Sequence, residues 1–542
     1  MKKQNFVEGA LILMIANLLV KILGAIFKIP LTNIIGVDAM AYFNTAYGFY
    51  VIFYMISTAG LPVAVSKMVS AAEAEENHRE SEKIFKISYL IFFVFGAVGM
   101  LIMAVFAKKY AEYVNLDGLE FAIYTISPTL FFICLTSAYR GYFQGLKNMT
   151  PTATSQVIEA IGKLAVGLIV AFFAVKAGKQ PHIVAAYALL GVTIGALFST
   201  VILKVYKRIN SVKPDKNPAT VKSAKSLIKS LIIIAIPVTL SATIMSLTNT
   251  IDTTFMVKRL IDSGFLKDEA RKIMGAYTSM SVPLFNLPPN LIYPFAISII
   301  PALTSAFVSG QENITKKIMT STFRISSIIA MPCALGLSVF ARPIISLLYS
   351  KDEFIGFNSA GNEISSISVA SPLLSVLAIS IFFVAVISVT NSILQSYGFE
   401  SKTIISTVLG IGTKLILTYV LIGNERISMF GAPISTLCCY IVIMCANLYF
   451  VVKYTGFVPS MRKIFIKPFF SSIVSVFLAA TLYYFLRKIA TAPSLIISVV
   501  LCALLYFLVL FAIKGVEKED ILLLPKGKAI LSFLIKIKLL KS

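Results

Sequence analysis

Two lysines, Lys21 and Lys28, interrupt the first apolar stretch of the chain. Seven residues make about two helical turns, so on a helix the pair shares one face. Ammonium groups held in an apolar setting suit an anionic head group such as a diphosphate. For Lys28 the alternative is a stem that snorkels and delivers its charge to the outer interface. Charge inside an apolar span is costly, so it usually faces a cavity or a partner. Glu159 and Lys163 stand at i, i+4 in the favourable acid-before-base order, as a structural ion pair or as cavity groups. Lys414 recurs at the repeat position matching Lys163, without a matching acid. Asp252 reads as a site for a coupling cation or proton, or as a cap near the outer surface. Arg140 reads as an interfacial anchor. Pro283, Pro288, Pro289, Pro294 and Pro301 crowd one segment. Proline removes a backbone donor and kinks a helix, and such breaks are tolerated at membrane depth where they line a cavity or serve as a hinge. The first four are expected to form a bent gate.

These side chains need elements to hold them, and the composition says which. Of 542 residues, 57% are hydrophobic and 14% charged, too few polar groups for a soluble chain this long. A bilayer core of ~30 Å takes about 20 apolar residues per helical span. About fourteen segments qualify. They lie near 9–35, 42–66, 84–107, 120–144, 155–176, 182–205, 228–256, 277–307, 322–345, 366–395, 402–422, 429–453, 464–486 and 494–514. The first is long, charged and without a small-residue cleavage pattern, so it is expected to be retained. A net charge of +24 would suggest nucleic acid in a soluble protein. Here it is expected to reflect topology: with both termini in the cytoplasm, roughly 31 Lys and Arg fall on the cytoplasmic side and about 14 outside. No nucleic-acid partner is expected, and the lysines between the halves are placed to meet anionic membrane lipids.

The six cysteines, Cys134, Cys333, Cys438, Cys439, Cys445 and Cys502, sit in apolar segments and read as small buried hydrophobes. His78 and His182 are isolated. No metal-ligand spacing, acid–histidine–nucleophile grouping or phosphate-cradling glycine loop is seen, so no catalytic residue, metal or cofactor is expected.

The second half repeats the first. Arg140-Gly141-Tyr142-Phe143-Gln144-Gly145-Leu146-Lys147, followed by Gly162-Lys163-Leu164, matches Asn391-Ser392-Ile393-Leu394-Gln395-Ser396-Tyr397-Gly398, followed by Thr413-Lys414-Leu415, 251 positions later. Phe85-Lys86-Ile87-Ser88 likewise matches Phe323-Arg324-Ile325-Ser326. Six spans per half give both halves one orientation, so they are parallel repeats around a central cavity, a transporter arrangement. The expected divisions are 1–205 for the first six helices and 206–227 for a basic cytoplasmic linker. The second six occupy 228–455, two added helices 456–514, and a cytoplasmic tail 515–542. Residues 530–538 read as an amphipathic surface helix or as a functionless terminus.

Lys21-Ile22-Leu23-Gly24, the run Ala59-Gly60-Leu61-Pro62-Val63-Ala64-Val65-Ser66-Lys67-Met68-Val69, and Arg140-Gly141-Tyr142-Phe143-Gln144-Gly145 with Pro151-Thr152-Ala153 and Ser155-Gln156-Val157-Ile158-Glu159 carry a resemblance. The chain resembles the polysaccharide-transporter branch of the multidrug/oligosaccharidyl-lipid/polysaccharide flippase superfamily. Within it the likeness is to Gram-positive lipid II flippases and the stage V sporulation group. The resemblance implies an all-α polytopic membrane protein with fourteen helices, V-shaped, with two six-helix lobes and two further helices that form a groove for a polyprenyl tail. It implies a transporter and not an enzyme, in the bacterial cytoplasmic membrane. Its substrate would be a lipid-linked glycan moved headgroup-first from inner to outer leaflet, lipid II foremost, with cell-wall synthesis proteins as possible partners. Sodium ions, protons or the membrane potential would drive it. Lys21 matches one of the family's diphosphate-contacting positions. The chain departs elsewhere: Phe27 stands at the next basic position with Lys28 one place on, and Tyr54 and Val282 stand where cavity arginines are expected. A different lipid-linked polysaccharide, a cation-coupled drug exporter and a non-transporting scaffold are the alternative readings.

Overall fold

A chain in lipid has no water to satisfy its amides, so its backbone must bond within each segment, which a helix does locally. The computed structural model describes residues 6–58, 60–209, 222–357, 363–460, 462–488 and 491–518, with residues 520 and 532, and is almost entirely helical. Eleven of the described helices are long and apolar enough to cross a membrane. The first two expected segments lie in one such run, 15–74. The centre of the expected linker, 210–221, and most of the expected tail helix, 530–538, fall outside the described residues.

The chain divides into two compact units, residues 1–279 and 280–542. Unit 1 begins with α1 (Phe6–Thr58), 53 residues long and broken at Gly36, whose φ of 79° suits a residue without Cβ. It continues with α2 (Gly60–Ala74), α3 (His78–Tyr113), α4 (Leu119–Gly145), α5 (Thr150–Lys176), α6 (Pro181–Ile209), α7 (Ala224–Asp262) and α8 (Lys267–Ala276). A π turn, Tyr277–Ser281, follows α8, and the unit boundary falls inside it.

Membrane helices gain nothing from excluding each other from lipid, so close backbone packing and hydroxyl pairs hold them. In unit 1 both are present. Thr129 and Thr136 on α4 meet Thr193 and Thr200 on α6 at 2.7 and 2.9 Å, one pair two turns beyond the other. On α6, a Cβ at Gly191 would lie 2.4 Å from the Gly167 amide nitrogen, and one at Gly195 2.5 Å from the Glu159 carbonyl oxygen. Only glycine lets α6 press this closely behind α5.

Unit 2 contains α9 (Val282–Ser298), α10 (Ile300–Val308), α11 (Glu312–Val339) and α12 (Ala341–Leu348). A short antiparallel hairpin, β1 (Phe354–Phe357) with β2 (Glu363–Ser365), leads to α13 (Ser366–Ser396), α14 (Glu400–Ile422) and α15 (Gly431–Thr455). The hairpin carries no sequence signal noted above. The two added helices, α16 (Lys467–Leu486) and α17 (Thr491–Ala512), pack on each other, and α16 also packs on α11.

The expected eighth span is two helices. α9 ends at Ser298 and α10 restarts with Pro301 in its first turn, where a missing N–H costs nothing. Pro283, Pro288 and Pro289 fall inside α9, Pro283 in its first turn. Pro294 is in the same helix, with its side chain outside the described set.

Candidate functional site

On α1, Phe43, Tyr47, Tyr50 and Tyr54 recur at helical spacing and form a continuous stripe, with ring centroids 6.1, 5.7 and 5.6 Å apart in turn. Phe27, from before the Gly36 break, joins it 6.2 Å from Phe43. Lys163 reaches this stripe from α5. Its Nζ lies 5.1 Å from the Phe27 ring centre and 4.8 Å from that of Tyr47, both within cation–π range. Glycine again permits the approach, since a Cβ at Gly167 would be 3.0 Å from the Phe27 ring.

Lys28 lies within electrostatic reach of Lys163, and its Nζ donates to the Thr278 carbonyl at 3.1 Å. That carbonyl is open for a reason written in the sequence. A π turn pairs each carbonyl with the amide five residues on, and five residues beyond Thr278 stands Pro283, which has no N–H. Thr278 is also held by its side chain. Asn44 Nδ2 donates to its Oγ1 at 3.1 Å, and that hydroxyl donates to the Met274 carbonyl at 2.7 Å. α8 is fixed to α1 just below. Arg271 forms an ion pair with Asp38, and a Cβ at Gly275 would lie 2.0 Å from the Val37 carbonyl oxygen.

The Glu159 carboxylate takes a different partner from the one the i, i+4 spacing suggests. Arg140 donates to Glu159 at 2.8 Å, to Ser155 at 2.9 Å and to Ser199 at 3.2 Å. Arg140 is 9% exposed, so it is an interior group joining α4, α5 and α6 and not an interfacial anchor. The forked guanidinium reaches three acceptors at once, which a lysine four residues along the same helix cannot do. Lys28 and Lys163 make no ion pair among the described residues. The cluster thus holds two cations beside a carboxylate already neutralised by Arg140.

The remaining expected site residues are dispersed. Lys21 is exposed, two turns before Lys28. Asp252 is 6% exposed in the interior of α7, ten residues before its end, so it is not a cap. The helical pattern simply continues past it to Asp262. Lys414 lies within unit 2 and is 1% exposed. Asn44, Tyr47, Arg140 and Thr278 complete the arrangement without having been singled out as site residues. The aromatic spacing on α1 and the proline after Thr278 were the available signals.

Unit 2 contributes an apolar groove of about 460 Å³ between α11, α12 and α17, lined among others by Ile328, Gly336, Phe340, Val499 and Tyr506. The Tyr506 hydroxyl, the polar atom such a groove must satisfy, donates to the Ile328 carbonyl at 2.8 Å. Beyond α17, Asp520 and Glu517 pair with Arg324 at 3.0 and 2.8 Å. Arg324 and Asp520 are 3% and 2% exposed at the side chain. Burial, the strongest influence, raises the Asp520 carboxyl above the ordinary carboxylate range, against the pull of Arg324.

A family model described as "Polysaccharide biosynthesis protein" matches residues 6–307, more than half of the chain. The chain belongs to that family. Among family relatives, the lipid II flippase MurJ of Bacillus subtilis (strain 168) is 27% identical over 468 residues, 84% of each chain. Stage V sporulation protein B of the same organism is 24% identical, over 80% of this chain and 81% of that one. A solved structure of lipid II flippase MurJ, in an inward closed conformation, superposes with a TM-score of 0.67 at 15% identity, covering 92% of this chain and 98% of that one. The likeness in fold makes this family member a multi-pass integral membrane protein.

Proposed function

We propose that this protein is a flippase. It moves a polyprenyl-diphosphate-linked precursor of the cell envelope, lipid II first, from the inner to the outer leaflet of the bacterial cytoplasmic membrane. The observation that carries the reading is the pair Lys28 and Lys163, two cations held at an aromatic stripe while the nearby carboxylate of Glu159 is already taken by Arg140. A diphosphate supplies the negative charge that such a pair lacks. The named relatives support the substrate class. Lys21, exposed two turns along α1, receives the headgroup before or after the pair, and the groove beside α17 takes the polyprenyl chain.

Both termini lie in the cytoplasm, following the excess of Lys and Arg on that side. The membrane potential, worth about 2.3 kcal/mol per charge per 100 mV, resets the cationic site, with Asp252 as the group for a coupling sodium ion or proton. The prolines of α9, from Pro283 to Pro294, serve as the gate. The protein acts as a transporter, and cell-wall synthesis enzymes receive its product.

The test uses purified protein in liposomes with fluorescent lipid II, scoring protection from an external quencher. Wild type should translocate, Lys28→Met/Lys163→Met should lose more than tenfold, and Lys21→Ala should lose less. A wild type that moves no lipid II beside an active control flippase would overturn lipid II as substrate. Movement of another polyprenyl-linked glycan in the same assay would reassign it.

A further inference from the structure

α1 carries aromatic side chains on two faces, and the two faces differ. On one, Phe49 packs against Phe53 at 5.5 Å and stacks on Tyr110 of α3 at 4.3 Å. The Tyr110 hydroxyl meets Thr254 of α7 at 3.1 Å, so the polar atom of that packed face is satisfied. The other face is the stripe beside Lys163, and from Tyr47 onward it is tyrosine: Tyr47, Tyr50 and Tyr54. Packing alone needs no hydroxyl there. Among the described residues neither the Tyr47 nor the Tyr50 hydroxyl has a hydrogen-bond partner, although Tyr50 is only 2% exposed. Buried polar groups are ordinarily paired, so these two point to a ligand.

The stripe also has a direction. At its Tyr47 end the Lys163 Nζ lies 4.8 Å from the ring centre, with Lys28 in electrostatic reach. From Tyr47 to Tyr54 the helix rises roughly 10 Å at 1.5 Å per residue. Glu159 lies within electrostatic reach of all three tyrosines, and Arg140 of Tyr54. Arg140 takes the Oε2 atom of Glu159, and no described residue donates to Oε1. Two cations thus give way to a run of rings, two unused hydroxyls and one open carboxylate oxygen.

We propose that the stripe from Tyr47 to Tyr54 is a sugar subsite, holding the sugar joined to the diphosphate of the transported lipid. This rests on the flippase reading: the lysines account for the phosphates, and the tyrosines account for the sugar. A sugar ring offers an apolar C–H face to an aromatic ring and carries hydroxyls around its rim. Tyrosine matches both, the face with its ring and the rim with a hydroxyl that donates and accepts. Tyr47 and Tyr54 are the partly exposed rings and take the face. Tyr50, buried between them, contributes its hydroxyl, and Glu159 Oε1 accepts from a sugar hydroxyl. A hydrocarbon chain would leave the hydroxyls unused, and a cationic drug would be repelled by Lys28 and Lys163.

The test is native mass spectrometry of the full-length protein in detergent. It is titrated with undecaprenyl diphosphate, with the same lipid carrying one N-acetylhexosamine, and with lipid II. The readout is the affinity ratio of sugar-bearing to bare lipid, which a merely structural defect, weakening all three together, does not move. Wild type should favour both sugar-bearing lipids at least tenfold. Tyr47→Phe/Tyr50→Phe, which keeps the rings and removes the hydroxyls, should lower the ratio about fivefold, and Tyr54→Leu should lower it by a similar factor. A fall in the hydroxyl variant alone assigns the preference to hydrogen bonding, and a fall in Tyr54→Leu alone assigns it to stacking. A wild-type ratio near one, or a ratio unchanged in both variants, overturns the sugar subsite while binding of the bare lipid leaves the flippase reading in place. Failure of wild type to bind any of the three lipids removes that reading and the subsite with it.

Discussion

The two repeats start from matching positions and end with opposite interiors. In the first, Arg140 is charged and joins α4, α5 and α6 through Glu159, Ser155 and Ser199. At the matching position of the second stands Asn391, which accepts from Asn447 at 2.8 Å, an amide pair with no charge. Lys163 sits at an aromatic stripe without an ion-pair partner among the described residues, whereas its counterpart Lys414 is enclosed by packing. A duplicated scaffold has kept its helices and divided its electrostatics. The first repeat presents charge, and the second has folded its charge away.

The sharpest way to break this comparison is to remove the presented cation. Lys163→Met should cut lipid translocation in liposomes more than tenfold with the melting temperature in detergent unchanged. A large drop in melting temperature instead would make Lys163 structural. Next comes the counter-charge. Glu159→Gln leaves the Arg140 guanidinium buried without its partner and should cost about 3 kcal/mol of unfolding free energy. Asn391→Ala removes an ordinary hydrogen bond and should cost about 1 kcal/mol. Comparable losses in a denaturant titration of the two variants would erase the contrast.

Packing sharpens it further. A Cβ at Gly191 meets the backbone of Gly167, which cannot step aside, so Gly191→Ala should cost about 2 kcal/mol. A Cβ at Gly410 meets first Cγ1 of the β-branched Ile443, a side chain that yields only in part, so Gly410→Ala should cost about 1 kcal/mol in the same titration. The smallest effect is reserved for Lys414→Met, which should leave translocation per folded molecule within about twofold. A tenfold loss at unchanged stability would place Lys414 in the transport path.

The helices were legible because membrane-length apolar runs admit few alternatives. The cations were legible because charge in such runs is rare. Their partners were harder to see. The acceptor for Lys28 lies 250 residues away, and its availability depends on a proline removing the amide that would otherwise serve it. Local spacing suggested Lys163 for Glu159, but an arginine 19 residues earlier reaches the carboxylate and two hydroxyls together. Asp252 reads in sequence equally as an ion site or as a cap, and only the continuation of α7 to Asp262 removes the cap.

The Arg324–Asp520 pair also bears on how the protein is made. Arg324 is synthesised 196 residues before Asp520, and on the ribosome it has neither of its two carboxylates. At the pace of about 5–20 residues per second, tens of seconds pass before the counter-charges emerge. A nascent chain that stops before Glu517 seals a guanidinium into α11 with both carboxylates missing, a defect of about 3–5 kcal/mol. Glu517 and Asp520 thus complete the interior of α11 long after α11 itself has been made.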